Sequence, residues 1–178
     1  MVSKASPSFP SPAPTSKDLP ESNTQDLGPY ADYTTPNTIV LISQPPNQTC
    51  AVVGGIMAAR MKNLGARAII VDGRVRDLVA LADTEMPIWS RGTSVIGAGA
   101  ETKFHAREVA VRIGETVVQP GDIVMVDELE RGVVVVPWGM VEEVLRLLPE
   151  MVASDERVLG EVVRGGSVKE AFKRHRNA

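Results

Sequence analysis

The sequence is poor in aromatic residues, has one cysteine and contains no long apolar run. Aromatic residues make up 4% of the 178 residues, whereas hydrophobic residues make up 43%, so a core must be built from aliphatic side chains and methionine. Cys50 alone cannot form an internal disulfide, which excludes a disulfide-stapled scaffold and fits a reducing, cytoplasmic compartment. The longest apolar runs, such as residues 133–137, are far shorter than the ~20 residues that cross a bilayer, so we expect no membrane span.

An excess of positive charge is also missing. The chain has 19 Lys and Arg residues against 22 Asp and Glu residues, and its net charge is −3. No basic run dominates, so nucleic-acid binding has no electrostatic support. We therefore expect neither a nucleic acid nor a membrane as a partner.

Proline and serine dominate the first 36 residues, where apolar residues are scattered without a period. This composition predicts a disordered or irregular arm over residues 1–36, because it offers too little apolar surface to offset the entropy of ordering. The ordered domain is predicted over residues 37–178, and its last part is predicted to be a helical tail.

The remaining pattern changes from alternating strands and helices to closely spaced short strands, and then to helices. The first part predicts strands over residues 38–42, 68–71 and 87–90, and helices over residues 51–64 and 75–82. Short strands are predicted next over residues 109–113, 115–118, 123–126 and 133–136, and helices over residues 140–152, 155–163 and 168–174. Ser154 and Ser167 are the predicted N-caps of the last two helices. This order favours an α/β fold with parallel strands, a small barrel-like or folded-over sheet and C-terminal helices.

Two segments of the first part carry residues suited to chemistry. Gly54 and Gly55 open a predicted helix, where free N–H groups favour an anion and the missing side chains let a ligand approach the backbone. Arg76 and Asp77 follow a predicted strand, and α/β proteins place ligands at the carboxyl ends of strands. A guanidinium matches a carboxylate, and an aspartate is a hard ligand for Mg²⁺ or Mn²⁺. Together these residues describe a pocket for a small oxo acid.

A purely structural explanation of the same residues stays open. Glycine pairs before helices are common, and an adjacent Arg-Asp pair is most often solvated surface. Three further residues are weaker candidates for the same pocket. His105 could act as a base near neutral pH, although it lies in a predicted polar loop. Asp72 could cap its turn or support Arg76, and Arg91 could line the pocket or lie on the surface.

These segments resemble the regulator of ribonuclease activity A-like family, which includes the 4-hydroxy-4-methyl-2-oxoglutarate aldolases. The resemblance rests on the run GGIMAAR at residues 54–60, on Gly65 and on the run IIVDGRVRD at residues 69–77. It continues through MPIWSRG at residues 86–92, VQPGDIV at residues 118–124 and GVVVVP at residues 132–137, so it covers roughly residues 38–152. Several motifs in one order are far more specific than any single motif.

The resemblance implies a trimeric ring of swivelling α/β domains, sometimes stacked as a hexamer, with a divalent-metal-dependent lyase activity. It implies that the pyruvyl part of the substrate lies on backbone amides of the segment Gly54-Gly55-Ile56-Met57. The family arginine corresponds to Arg76, which pairs with the substrate, and the family aspartate corresponds to Asp77, which holds Mg²⁺ or Mn²⁺ with several waters. The expected reactions are pyruvate release from a 4-hydroxy-4-methyl-2-oxoglutarate-type substrate and decarboxylation of oxaloacetate, because both pass through a pyruvate enolate.

The chain departs from the family pattern at two places. Many active members carry an acidic residue at the position that matches Gly55, where it orders a metal-bound water, and a glycine cannot do so. The family also has a helix and strands before the first motif, where this sequence has the Pro/Ser-rich arm. These departures keep a second hypothesis open, a non-catalytic trimeric regulator that binds proteins. The retained Arg76-Asp77 pair favours the lyase.

Overall fold

A parallel four-stranded sheet organises the first half of the chain. Its strands are β1 (Ile39–Ser43), β2 (Ala51–Val53), β3 (Ala68–Val75) and β4 (Ile88–Thr93). Strand β3 is central, since it pairs with β4 along one edge and with β1 and then β2 along the other. Residues 68–71 of β3 are all buried, as expected for a parallel strand that is covered on both faces.

The computed structural model describes residues 19–176 and divides the chain into two units between Pro120 and Gly121. In the first unit, α1 (Gly55–Asn63) follows β2 and α2 (Leu78–Ala82) follows β3. A hairpin of β5 (Val111–Ile113) and β6 (Thr116–Val118) follows the parallel sheet in the chain, and 3-10 turns lie at Tyr30–Tyr33 and Ala98–Ala100. The core of this unit contains Ala31, Val53, Ala58, Met61, Ile69, Val71, Val75, Leu81 and Met86.

The second unit consists of an antiparallel hairpin and two helices. Its elements are β7 (Ile123–Asp127), β8 (Gly132–Val136), a 3-10 turn at Trp138–Met140, α3 (Val141–Val163) and α4 (Val168–His175). The predicted α/β class with parallel strands and C-terminal helices is therefore confirmed, and the late short strands pair as two antiparallel hairpins. Within residues 19–176, no helix combines the length and the apolar character that a membrane crossing needs.

The prediction of one helix over residues 51–64 is wrong at its start. Residues Ala51–Val53 form β2, and α1 begins only at Gly55. Because β1 stops at Ser43, its pairing with β3 ends at Asp72, which leaves the last residues of β3 without a partner strand on that edge unless another strand pairs there. Strand β2 fills this edge by pairing with the last two residues of β3.

Strand β3 also continues past the Asp72-Gly73 pair at which it was predicted to end. The buried amide of Gln44 bridges the change of partner strand, since its Oε1 accepts from the Arg74 N–H at 3.0 Å and its Nε2 donates to the Cys50 carbonyl at 3.0 Å. A Cβ on residue 73 would lie 2.2 Å from Gln44 Oε1, so only glycine fits beside this amide. Asp72 thus lies within a strand and does not cap a turn.

The two helices predicted over residues 140–152 and 155–163 form the single helix α3, with Pro149 inside it. Ser154 is not an N-cap, because its side chain is buried and its hydroxyl donates to the His175 carbonyl, which ties α3 to α4. Ser167 does take the N-cap position of α4, although its side chain makes no capping hydrogen bond. Packing between the two helices therefore overrides the local helix-start signal at residue 154.

Residues 19–36 pack against the rest of the first unit, so ordered structure starts before the predicted boundary at Asn37. Ala31 is 1% exposed within the core, and the Tyr30 hydroxyl donates to the Val52 carbonyl at 2.7 Å. Burial raises the pKa of the Tyr30 phenol, which keeps it a neutral donor. Residues 1–18 of the predicted arm lie outside the described residues.

A second set of contacts fastens this segment to the loop before β5. The Thr24 hydroxyl donates to the Phe104 carbonyl at 2.8 Å, and the rings of Tyr30 and Tyr33 lie against the Phe104 ring. The guanidinium of Arg107 lies over the Tyr33 ring, 5.1 Å from its centroid. These aromatic contacts supply apolar surface that the composition of residues 1–36 did not reveal.

Candidate functional site

The two predicted segments meet at one edge of the parallel sheet. The first follows β2 and opens α1, and the second follows β3 and opens α2. Because β2 and β3 are parallel neighbours, their carboxyl ends lie side by side. The Arg76 N–H donates to the Val53 carbonyl at 2.9 Å, which joins the two strand ends directly.

Asp77 has a left-handed backbone conformation, with φ of 61° and ψ of 48°. Aspartate tolerates this conformation better than most residues, yet a non-glycine residue held there costs about 1–3 kcal/mol. The conformation directs the carboxylate toward α1, where Oδ2 accepts from the Gly55 N–H at 3.2 Å. Such a conformation persists where surrounding contacts hold it, and the hydrogen bond from the Gly55 N–H is one such contact.

Gly54 allows Arg76 and Asp77 to lie directly over the backbone. A Cβ at position 54 would lie 2.8 Å from Asp77 Oδ2 and 3.1 Å from Arg76 Nε. A side chain at position 54 would therefore push both groups away from this place. Gly54 therefore lets the Arg76 and Asp77 side chains come close to the backbone at the start of α1.

The first turn of α1 presents backbone donors to the same place. The first helical hydrogen bond is donated by Ala58 to the Gly54 carbonyl at 3.1 Å, so the N–H groups of Ile56 and Met57 have no partner inside the helix. The first turn holds no acidic residue, and the positive end of the helix dipole adds to these donors. The arrangement can bind a carboxylate or another small anion.

Arg76 and Asp77 form an open, weak ion pair. Arg76 Nε lies 3.8 Å from Asp77 Oδ2, and the two side chains are 43% and 41% exposed. An exposed pair at this distance contributes little to stability. Both groups are therefore accessible to a ligand that carries charge of its own.

The donor set limits which metal could be held here. Within residues 19–176, no three side chains of His, Cys, Asp or Glu are grouped in a way that could hold a metal ion. The accessible Asp77 carboxylate fits Mg²⁺ or Mn²⁺, which can bind through one carboxylate, waters and substrate oxygens. It does not fit a metal that needs a protein cage of several ligands.

The weaker sequence candidates have other contacts. His105 Nε2 lies 2.8 Å from the Pro20 carbonyl, so this imidazole belongs to the contact with the N-terminal segment. Asp72 and Arg91 form an ion pair between β3 and β4, and neither is in hydrogen-bond contact with Arg76 in the described residues. No sequence pattern marks Ala80, whose Cβ is the atom that a Cβ built on Gly55 would meet most closely, at 2.6 Å.

The structure thus brings the segment Gly54–Met57 together with Arg76 and Asp77, and the roles expected of them stay predictions. Comparison with known proteins adds a family. A sequence model of the RraA-like family, described as Aldolase/RraA, matches residues 15–135.

Two curated relatives match a similar part of the chain. "Putative 4-hydroxy-4-methyl-2-oxoglutarate aldolase" of Halalkalibacterium halodurans is 32% identical over 121 residues, which cover 68% of this chain and 56% of that protein. An uncharacterized protein of Methanocaldococcus jannaschii is 26% identical over 122 residues, which cover 68% of this chain and 57% of that protein. The chain thus spans little more than half the length of these relatives.

Two crystal structures share the fold. An uncharacterized protein from Pseudomonas syringae pv. tomato aligns with a TM-score of 0.73 and 26% identity, covering 82% of this chain and 67% of that one. Streptomyces coelicolor RraAS2, described as an unusual member of the RNase ES inhibitor RraA protein family, aligns with a TM-score of 0.60 and 27% identity, covering 75% and 65%. Because the family match spans most of the chain, the protein belongs to the RraA-like (Aldolase/RraA) family.

Proposed function

We propose that this chain is a divalent-metal-dependent lyase that releases pyruvate from 4-hydroxy-4-methyl-2-oxoglutarate-type substrates and decarboxylates oxaloacetate. The observation that carries the proposal is the convergence of Arg76 and Asp77 on the first turn of α1. The aldolase name of the relative that is 32% identical supports the reaction class.

Substrate binding is assigned to backbone donors and one guanidinium. The N–H groups of Ile56 and Met57 hold the pyruvyl carboxylate at the positive end of α1. Arg76 pairs with the substrate, neutralises part of its charge and orients the bond that breaks. The exposure of Arg76 lets it reach a dicarboxylate from solution.

Asp77 is assigned to hold Mg²⁺ or Mn²⁺. When bound, the metal acts as a Lewis acid that stabilises the negative charge developing on the 2-oxo group. The Gly55 N–H orients the Asp77 carboxylate for this task, and the left-handed backbone keeps it over Gly54.

Pyruvate release tests the proposal. In an assay coupled to lactate dehydrogenase, we expect release from both substrates with Mg²⁺ or Mn²⁺ and loss of release after EDTA treatment. A matched control is Arg60→Ala, since Arg60 forms another exposed Arg-Asp pair, with Asp32 at 2.7 Å, on the same unit. Release that is insensitive to EDTA, or that Arg60→Ala lowers as much as Arg76→Ala does, would refute the assignment.

Gly54→Ala should impair the site more than the fold. The new Cβ would displace the ends of the Arg76 and Asp77 side chains, which can turn into solvent without disturbing the core. Displacement of catalytic groups by ~1 Å can lower activity about 100-fold, so we expect such a loss in kcat/KM with little change in unfolding temperature. Gly97→Ala is the control, because a Cβ at residue 97 meets no atom within 4 Å. An equal effect of both substitutions would contradict the role of Gly54.

A regulator of ribonuclease activity is the second candidate function. The structural similarity to Streptomyces coelicolor RraAS2, at 27% identity, favours it. Slower RNA cleavage by ribonuclease ES on addition of this protein, with no pyruvate release from either substrate, would support the regulator and refute the lyase.

We also propose that the protein is a cytoplasmic homotrimer, with a stacked hexamer as the alternative. Large apolar side chains next to the site lie open, with Ile56 80% and Val79 78% exposed. A neighbouring subunit would cover them. Light scattering distinguishes a trimer from a monomer or a hexamer.

A further inference from the structure

Arg74 lies on β3 two residues before Arg76, and its guanidinium is held against the end of β4. Its Nη1 donates to the Thr93 carbonyl at 3.0 Å. A Cβ on Gly92 would lie 3.4 Å from the same Nη1, so the guanidinium rests on a strand position that has no side chain. These contacts fix the side chain without neutralising its charge, because a backbone carbonyl carries no net charge.

The charge of Arg74 has no carboxylate partner in the part of the chain that the structure describes. Nearby, Arg91 pairs with Asp72 and Arg76 pairs with Asp77, whereas Arg74 forms no ion pair within residues 19–176. A guanidinium has several N–H donors in a planar fork, so the single bond to the Thr93 carbonyl leaves donors for an anion.

Arg74 and Arg76 belong to the same face of β3. Val75 between them is buried and both arginines are exposed, as the alternation of side chains along an extended strand requires. Their side chains lean to opposite sides of β3, since Arg74 reaches Thr93 on β4 and Arg76 lies over Gly54 after β2. Positive charge therefore extends across the carboxyl end of β3 from one neighbouring strand to the other.

The carboxyl ends of β2 and β4 are aligned on the two sides of β3. Val53 and Thr93 are both register partners of Val75, so these strand ends lie two strand spacings apart. Neighbouring strands are about 4.8 Å apart, which separates the two ends by about 10 Å. The carbon chain of a four- or five-carbon diacid, with bonds of about 1.5 Å, and a charge-assisted hydrogen bond of about 2.8 Å at each end span about this distance. A diacid whose first carboxylate lies on the amides that open α1 can therefore bring its second carboxylate to Arg74.

We propose that Arg74 is a specificity-determining residue that binds the second carboxylate of the substrate. The inference rests on the proposed function and assigns a selectivity to its site: 2-oxo acids with a second carboxylate bind, and counterparts with a methyl group in its place bind poorly. The bond to the Thr93 carbonyl holds the guanidinium in place before the ligand arrives, which reduces the entropy lost on binding.

A matched pair of substrates measures this selectivity. 4-Hydroxy-4-methyl-2-oxopentanoate has a methyl group where 4-hydroxy-4-methyl-2-oxoglutarate has its second carboxylate, and aldol cleavage of either releases pyruvate. Arg74→Gln should raise KM for the diacid about 10- to 100-fold with kcat nearly unchanged, because a hydrogen bond between charged groups is lost. KM for the mono-acid should change by less than about threefold. Arg74→Lys, which keeps the charge, should recover part of the loss.

Arg67→Gln is the matched control. Arg67 is also exposed and forms no ion pair within the described residues, but it precedes the amino end of β3, at the edge of the sheet opposite the candidate site. Its substitution should leave KM for both substrates unchanged. An equal rise in KM for the diacid and the mono-acid in Arg74→Gln, or the same effect of Arg67→Gln, would overturn the assignment and leave Arg74 as a support of the β3–β4 pairing.

Binding without turnover separates this inference from the proposed function. 2-Oxoglutarate and 2-oxopentanoate form the same kind of pair but lack the 4-hydroxyl group, so neither undergoes aldol cleavage. In isothermal titration calorimetry with Mg²⁺ present, the unchanged chain should bind 2-oxoglutarate at least about tenfold more tightly, and Arg74→Gln should remove this difference. Such binding without pyruvate release from any substrate would refute the lyase and support the role of Arg74. Equal binding of the two acids, or binding of neither, would overturn the role of Arg74.

Discussion

Asp77→Asn should abolish most pyruvate release without unfolding the protein. Asparagine adopts the left-handed conformation readily, and its amide oxygen can still accept from the Gly55 N–H. The substitution removes the negative charge assigned to hold the metal, which contributes several kcal/mol to the transition state. We therefore expect kcat/KM to fall by at least about 100-fold, with an unfolding temperature within a few degrees of the unchanged chain.

Asp32→Asn is the control for this prediction. Asp32 is also an exposed aspartate paired with an arginine, 45% exposed against 41% for Asp77. Its neutralisation should leave pyruvate release unchanged. Isothermal titration calorimetry of each variant with Mg²⁺ or Mn²⁺ should show weakened metal binding for Asp77→Asn alone. Unchanged metal affinity in Asp77→Asn would show that this carboxylate does not hold the cation.

Asp77→Ala separates the charge from the backbone geometry. Alanine loses the acceptor for the Gly55 N–H and is unfavourable at positive φ, so this variant should lose stability as well as activity. Asparagine should lose activity only. If the two variants unfold at the same temperature, the left-handed conformation of residue 77 does not depend on its side chain.

Local signals in the sequence identified the residues of the candidate site, but the secondary structure predicted around them was partly wrong. Gly54, Gly55, Arg76 and Asp77 could be found because glycine, guanidinium and carboxylate each have distinct chemistry, and because family motifs surround them. The strand β2 was missed, since its three residues precede a helix-like pattern and become a strand only when β3 offers an open edge. The parallel pairing that brings the two segments together is therefore a tertiary effect.

Contacts between distant residues explain the other differences. The amide of Gln44 reaches across to Arg74 and Cys50, and nothing in the local pattern around Gly73 shows that a buried side chain passes there. Ser154 has the signature of a helix start, but burial against α4 decides its role. Propensity and turn signals describe the neighbours of a residue in sequence, whereas these roles depend on neighbours in space.

A chain that starts at Asn37 should be much less stable than one that starts at Leu19. The truncation removes Ala31 from the core, the Tyr30 ring from Phe104 and the hydrogen bond to Val52. Loss of a packed aromatic residue alone typically costs about 3–5 kcal/mol, which is a large part of the stability of a small domain.

Thermal unfolding followed by circular dichroism, with light scattering on the same samples, measures this effect. The chain from Leu19 is the control, because it keeps every contact of the described N-terminal segment. Composition predicted a disordered or irregular arm over residues 1–36, because prolines and serines bury little apolar surface. The structure argues otherwise for residues 19–36, since side chains of that segment pack in and against the core and hold the loop before β5 in place. Equal unfolding temperatures of the two truncated chains, with unchanged mass in solution, would show that these contacts do not stabilise the fold.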